Sequence, residues 1–330
     1  MRIDVHAHFL PRNCFDVVDN AGRHYGPTIV TNEKGQEEVI LGDTNWGPIA
    51  RQLWDPETHI KDMDATGVDI QVLSPAPNML YYNLETEDCL WLSRRQNDGI
   101  SQVVNEYPTR FLGLATIPLQ EPDRALAELD RAINKLGLRG VEMLSNINGR
   151  QLDAPELMPF YKEAEALDVP VFIHPWKVAG SERMKKYHLA NLIGNPLDTT
   201  LAAAHLIFGG ILEKFPGLKF YLAHAGGCLP YLRGRWEHGY QVRADSKVII
   251  KHPPSYYLPL FYFDTITHSV PVLHYLVTSV GADKVMLGTD YPYDMADTQP
   301  VSKVQSLMGI SEEDKQKIMG GNAARLFKLV

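Results

Sequence analysis

Eight short apolar runs, the amphipathic segments between them, and polar side chains where several runs end predict an α/β chain folded as a (β/α)8 TIM barrel. The length of 330 residues fits one such barrel, because the architecture commonly takes ~250 residues or more as a single unit. Residues 3–6 read as the first strand. Residues 70–73, 111–116, 140–144, 170–173, 219–223, 260–263 and 284–288 supply seven more. Between them, residues 89–106, 122–136, 155–167, 197–214 and 270–280 read as helices. Pro122 and Pro155 stand where a first helical turn tolerates proline, and Gly137 follows the second helix as a stop. An open doubly wound sheet is the runner-up, but no G-x-G-x-x-G follows the first strand.

The stretch from about residue 13 to residue 56 is too long for an ordinary connection. Residues 28–41 alternate weakly and predict a hairpin turning at Lys34-Gly35. This stretch is too short to hold a core of its own. It reads as an insertion over the barrel mouth, and residues 1–330 as one domain.

Hydrophobic residues at 45% and charged residues at 22% are ordinary globular values. The net charge is −8 with no basic block, which argues against a nucleic-acid surface. Cys14, Cys89 and Cys228 are far apart and form no C-x-x-C pair, so a disulfide framework is not expected and a reducing, cytoplasmic setting is. The N-terminus, MRIDVHAHFLP, carries two histidines and an aspartate where a secretory leader needs an unbroken apolar run. No apolar run approaches the ~20 residues of a membrane span.

The chemistry is concentrated at predicted strand ends. His6 and His8 are two apart at the end of the first strand, so both imidazoles can face one point. An isolated H-x-H reads equally well as two surface or capping histidines. Three further positions change that balance. His174 closes Val171-Phe172-Ile173, His224 closes Phe220-Tyr221-Leu222-Ala223, and Asp290 closes Val285-Met286-Leu287-Gly288-Thr289. Active sites of barrels are built at the C-terminal ends of their strands. Imidazole nitrogens with a carboxylate suit one divalent cation, zinc first, with Mn2+, Co2+ or Fe2+ accepted by the same donors.

This pattern resembles the amidohydrolase superfamily and, within it, the aminocarboxymuconate-semialdehyde decarboxylase-like family of metal-dependent decarboxylases. The resemblance runs nearly end to end through Arg2-Ile3-Asp4-Val5-His6-Ala7-His8, Leu53-Trp54-Asp55-Pro56, Met63-Asp64, His174-Pro175-Trp176 and Arg183-Met184-Lys185-Lys186. It continues through His224-Ala225-Gly226-Gly227, Gly288-Thr289-Asp290-Tyr291-Pro292 and Gly321-Asn322-Ala323. The resemblance implies that His6, His8, His174 and Asp290 hold one zinc ion per chain. It also implies that His224 is the catalytic histidine and that Arg235 and Arg243 bind substrate carboxylates. Arg235 would do so across a homodimer interface. Trp176, directly after a ligand, is a candidate pocket wall.

Two positions depart from the family pattern: Gly47 stands where the decarboxylase has an arginine, and Asn191 where it has a pocket tryptophan. These changes leave the metal chemistry intact and the substrate identity open, with Asn191 itself a candidate contact. Glu142, ending the fourth strand, reads as a substrate-facing or hydrogen-bonding carboxylate, with a second-metal ligand as the alternative. Asp264, ending the seventh, reads either as a partner of the site or as a loop cap. His59, His205, His238, His252, His268 and His274 have no partner in the sequence pattern and read as structural or exposed.

The expected activity is nonoxidative decarboxylation of a small unsaturated or aromatic carboxylic acid. His224 would exchange the proton and Asp290 would help to relay it. Two rival readings share the fold: hydrolysis or hydration of a lactone, amide or enol acid with the same cation, and a silent barrel that binds a metabolite or a partner.

Overall fold

The apolar runs form eight parallel strands of one sheet: β1 (Ile3–His8), β2 (Ile70–Ser74), β3 (Phe111–Ala115), β4 (Gly140–Leu144), β5 (Pro170–His174), β6 (Lys219–Leu222), β7 (Phe261–Asp264) and β8 (Val285–Met286). The computed structural model describes residues 1–41, 44–45, 47 and 50–329, so five positions of the insertion and Val330 lie outside the described residues. Strands pair in sequence order; Phe172 of β5, for example, lies opposite Glu142 of β4 and Tyr221 of β6.

The seam between β8 and β1 is closed by the chain that follows β8. Val5 N–H donates to the Leu287 carbonyl at 2.9 Å, Asp290 N–H to the His6 carbonyl at 2.8 Å, and His8 N–H to the Tyr291 carbonyl at 2.7 Å. This explains why β8 is shorter than the expected 284–288. Residues beyond Met286 leave the β7 edge to make the closure and the Asp290 turn.

The strand period of two sorts side chains between two layers. In β5, Val171 and Ile173 join the apolar layer under the helices, together with Ala202, Ala203 and Leu206. Phe172 and His174 face inward. Phe172 stacks on Tyr221 with ring centroids 4.4 Å apart and meets His6 edge-on at 4.8 Å.

The covering helices are α1 (Pro56–Thr66), α2 (Thr86–Glu106), α3 (Pro122–Asp130), α4 (Met158–Ala166), α5 (Asn195–Phe208), α6 (Leu229–Val242) and α7 (Val270–Val280). Several ends differ from expectation for local reasons. The expected helix 89–106 begins earlier, at Thr86, where Glu87 and Asp88 suit the positive end of the helix dipole. The expected helix 197–214 breaks after Phe208, because Gly210 takes a left-handed conformation (φ 75°) before the short helix Ile211–Lys214. The segment 122–136 widens into a π turn at Arg131–Lys135, and 155–167 starts as a 3-10 turn at Pro155–Leu157.

Thr28–Thr31 pairs antiparallel with Glu37–Leu41, Thr31 opposite Glu37, around a turn containing Gly35 at φ 74°. Val39 and Leu53 pack with Leu10, Ala76 and Met79, which follow β1 and β2. Among the described residues, no helix is long and apolar enough to cross a membrane.

Phe172 carries the packing beneath the histidines, and it is fully buried. Phe172→Ala is expected to lower unfolding free energy by about 3–5 kcal/mol, through lost burial and the cavity left behind. Urea unfolding compared with the wild type measures that loss.

Candidate metal centre

Three imidazoles are set by the same device. His6 Nδ1 lies 2.8 Å from Asp264 Oδ2, His8 Nδ1 lies 3.0 Å from the Pro75 carbonyl, and His174 Nδ1 lies 3.0 Å from the Pro175 carbonyl. An Nδ1–H donating to these acceptors leaves each Nε2 with its lone pair free, which is the tautomer a metal ligand needs. His174 Nε2 is buried with no hydrogen-bond partner, an unsatisfied acceptor that calls for a cation or a proton.

The Nε2 atoms of His6 and His8 are 3.2 Å apart, and Asp290 Oδ1 lies 3.3 Å from the first and 3.2 Å from the second. Four donors about 2.0–2.1 Å from a tetrahedral ion stand about 3.3–3.4 Å from one another, so these spacings fit a zinc-sized cation. His6, His174, His224 and Asp290 each offer one ligand atom within 4.8 Å of all the others. The rings of His8 and His174 are 4.9 Å apart. All five strand-end residues singled out in the sequence therefore converge, and the donor set fits a divalent metal.

His224 differs from the other three. Its Nε2 lies 3.4 Å from Asp290 Oδ2, its Nδ1 has no hydrogen-bond partner, and its side chain is 15% exposed while those of His6 and His8 are fully buried. It lines a cavity of about 320 Å3 together with Asp290. Nothing tethers its Nδ1 as the Nδ1 atoms of the other rings are tethered.

Backbone strain accompanies this placement. His224, Ala225 and Asp290 are left-handed, with φ of 54°, 56° and 64°, a conformation that costs such residues on the order of 1–3 kcal/mol each. Asp264 offsets part of it, since its carboxylate accepts the N–H groups of His224 at 2.8 Å and Ala225 at 2.7 Å while also holding His6. The two sequence readings of Asp264 are both satisfied: it is a partner of the site and a cap of the loop. Gly227 completes the turn at φ 64°, where any Cβ would overlap the Pro196 carbonyl oxygen.

The electrostatics are those of a site that attracts positive charge. Burial alone would lower the His6 pKa, but Asp290 and Asp264 outweigh it and raise the value to about 10. Burial would raise Asp290, yet the charge on His6 and the close imidazoles of His224 and His8 hold it well below the usual carboxylate range. Burial, then the neighbouring imidazoles, keep His174 well below its ordinary value and therefore neutral. Burial likewise drives Glu142 well above the carboxylate range, against the smaller opposing effects of His6 and Ser74. Beneath the ligands, Asp4 Oδ2 accepts Thr289 Oγ1 at 2.6 Å and Gln71 Nε2 at 2.9 Å, tying β1, β2 and the Asp290 turn together.

The expected substrate contacts divide. Asn191 lines the His224 cavity, with Asn195, Thr267 and His268. Trp176 lines a separate, smaller cavity with Asn78, Tyr82 and Asn146. Arg235 and Arg243 are exposed and do not line the cavity of their own chain. Arg243 does not share the helix that carries Arg235, because α6 ends at Val242 and Arg243 is already extended, with Asp245 3.6 Å away. His268, read from the sequence as structural or exposed, is exposed but at the cavity. The available signal was its place four residues beyond a strand-end aspartate.

Comparison with known proteins agrees with the geometry. The sequence model of the amidohydrolase family matches residues 3–329. The chain is 38% identical to 2-amino-3-carboxymuconate-6-semialdehyde decarboxylase of Dictyostelium discoideum over 332 aligned residues, covering 100% of this chain and 92% of that protein. It superposes on 5-carboxyvanillate decarboxylase from Sphingomonas paucimobilis with a TM-score of 0.85 at 26% identity, covering 99% of this chain and 98% of that one. It also superposes on a dihydroxybenzoic acid decarboxylase from Polaromonas, which carries bound manganese and the inhibitor 2-nitroresorcinol. There the TM-score is 0.83 at 27% identity, with 99% and 97% of the two chains covered.

Two outcomes follow from this geometry. Asp264→Ala is expected to weaken metal binding ~10–100-fold in a folded protein, because it frees both His6 and the His224 turn; competition with a chelator reads the affinity. Adding zinc at about 100 times its Kd is expected to stabilise the metal-free protein by about 2.7 kcal/mol. Thermal unfolding should show most of that gain lost in His174→Ala.

Proposed function

The chain belongs to the amidohydrolase family, and we propose on that premise that it is a metal-dependent nonoxidative decarboxylase of a small unsaturated or aromatic carboxylic acid. The observation that carries this reading is the asymmetry of the histidines. Three have Nδ1 tethered and Nε2 in the cluster around Asp290, while the Nδ1 of His224 has no partner and its ring lines the cavity. We assign His6, His8, His174 and Asp290 as ligands and His224 as the proton-transfer group.

One zinc ion per chain suits three imidazoles and a carboxylate, and it would supply a Lewis acid that orients the substrate and stabilises negative charge. His224 delivers a proton to the unsaturated carbon that bears the carboxylate. The bond to that carboxylate then breaks, carbon dioxide leaves, and the electron pair of the broken bond restores the conjugated system. Asp290 Oδ2, 3.4 Å from His224 Nε2, steadies the charge on the protonated ring. Asn191 and Asn195 supply neutral amides for the remainder of the acid.

A homodimer and a single barrel domain roofed by residues 13–56 complete the proposal. Tyr231, four residues before Arg235 on α6, is 81% exposed, leaving apolar surface beside Arg235 for a second copy to cover. In that arrangement Arg235 would reach the neighbouring cavity. Three free cysteines support a reducing, cytoplasmic location.

The test is carbon dioxide release by zinc-loaded protein from a panel of unsaturated and aromatic acids, run beside lactone opening. His224→Asn is expected to keep about one equivalent of metal and lose ~10²–10⁴-fold in kcat. Turnover within a few-fold of wild type would remove His224 from the mechanism, and lactone opening without carbon dioxide would replace decarboxylation by hydrolysis.

A further inference from the structure

The cavity beside the metal centre is poor in positive charge. Among the described residues lining it, only His224 and His268 can carry any. His224 is engaged with Asp290, while the asparagines and Thr267 are neutral. Within one chain, the far end of an acid with a second carboxylate therefore has His268 to meet, and Arg235 of a second copy is the competing cation.

His268 is presented to the cavity by a strained turn. Its φ is 52°, in the left-handed region. The turn around it is held by Thr267 N–H donating to the Thr265 carbonyl at 2.9 Å and by Thr267 Oγ1 donating to the Ser269 carbonyl at 3.0 Å. The ring makes no hydrogen bond or ion pair with any described residue, so its donors are free. His268 also lines an adjoining groove of about 530 Å3 with Ser269, Asp297, Thr298 and Ser302. The amine in that groove is already engaged: Lys303 donates to the Thr265 carbonyl at 2.9 Å and pairs with Asp297. His268 thus stands on the ridge between the reacting cavity and a hydroxyl-lined extension.

We propose that His268 is a specificity-determining residue that binds a second carboxylate at the end of the acid remote from the metal, with the adjoining groove receiving that end. The proposal rests on the decarboxylase reading for the word substrate, but its test does not need turnover.

Calorimetry on zinc-loaded protein would compare benzene-1,3-dicarboxylate with benzoate in wild type, His268→Ala, His268→Gln and Arg235→Ala. Wild type should prefer the dicarboxylate. His268→Ala should weaken dicarboxylate binding roughly tenfold, the scale of one charge-assisted hydrogen bond, and leave benzoate within twofold. His268→Gln, which keeps a donor, should recover part of the loss. Equal weakening of both ligands, no weakening of either, or no preference in wild type would each overturn the proposal. So would a preference that survives His268→Ala and vanishes in Arg235→Ala. A preserved pattern without carbon dioxide release from any acid would remove the decarboxylase reading and leave the carboxylate site standing.

Discussion

The seam between the first strand and the chain after the last one is the constraint on which the site depends. A parallel barrel has to join its two edge strands, and here only two residues of β8 pair as a regular strand. The rest of the closure is made by Leu287, Asp290 and Tyr291 against Val5, His6 and His8. The backbone bonds that seal the barrel are therefore the bonds that carry Asp290 to the two histidines. Because the interior is close-packed, a slip at this seam would move a ligand by whole residues rather than by fractions of an ångström. Stability of the closed sheet and geometry of the metal centre are one property.

Charge explains why the site is so heavily braced. Asp4, Asp264 and Asp290 are all buried around imidazoles that are themselves buried. Buried ionised carboxylates are tolerated only when paired and hydrogen-bonded. Asp264 meets that condition through His6 and the N–H groups of His224, Ala225 and Ile266. Asp290 meets it through three imidazoles. Without a cation, the compensating charge is a proton on His6, held there by the two flanking aspartates. A divalent metal would take over that role and leave every Nδ1–H where it is.

His224 and Asp290 share a second feature, a left-handed backbone two and four residues beyond the end of a strand. An extended chain running straight on would carry their side chains past the mouth. The turn brings them back over it, and the bonds to Asp264, Thr289 and Asp4 keep that turn in place. At Gly226, Gly227 and Gly288 an added Cβ would stand closer than 3.0 Å to Phe263, Pro196 and Asp264, so these turns leave no room for a side chain.

The barrel, its eight strands, the hairpin at Thr28–Leu41 and the five polar strand ends were legible in the sequence, because each is written in a local period or a local interruption of one. A strand alternates and stops, and a polar residue at its stop is visible one element at a time. The tertiary structure decided what no local pattern records. It showed which nitrogens are tethered, that Asp264 braces two elements at once, that Arg243 lies beyond its helix, that Trp176 belongs to another cavity, and that His268 belongs to this one. The decisive ones are distances between residues far apart in the chain, as His6 and Asp264 are, and they exist only once the sheet has curled far enough to bring its ends together.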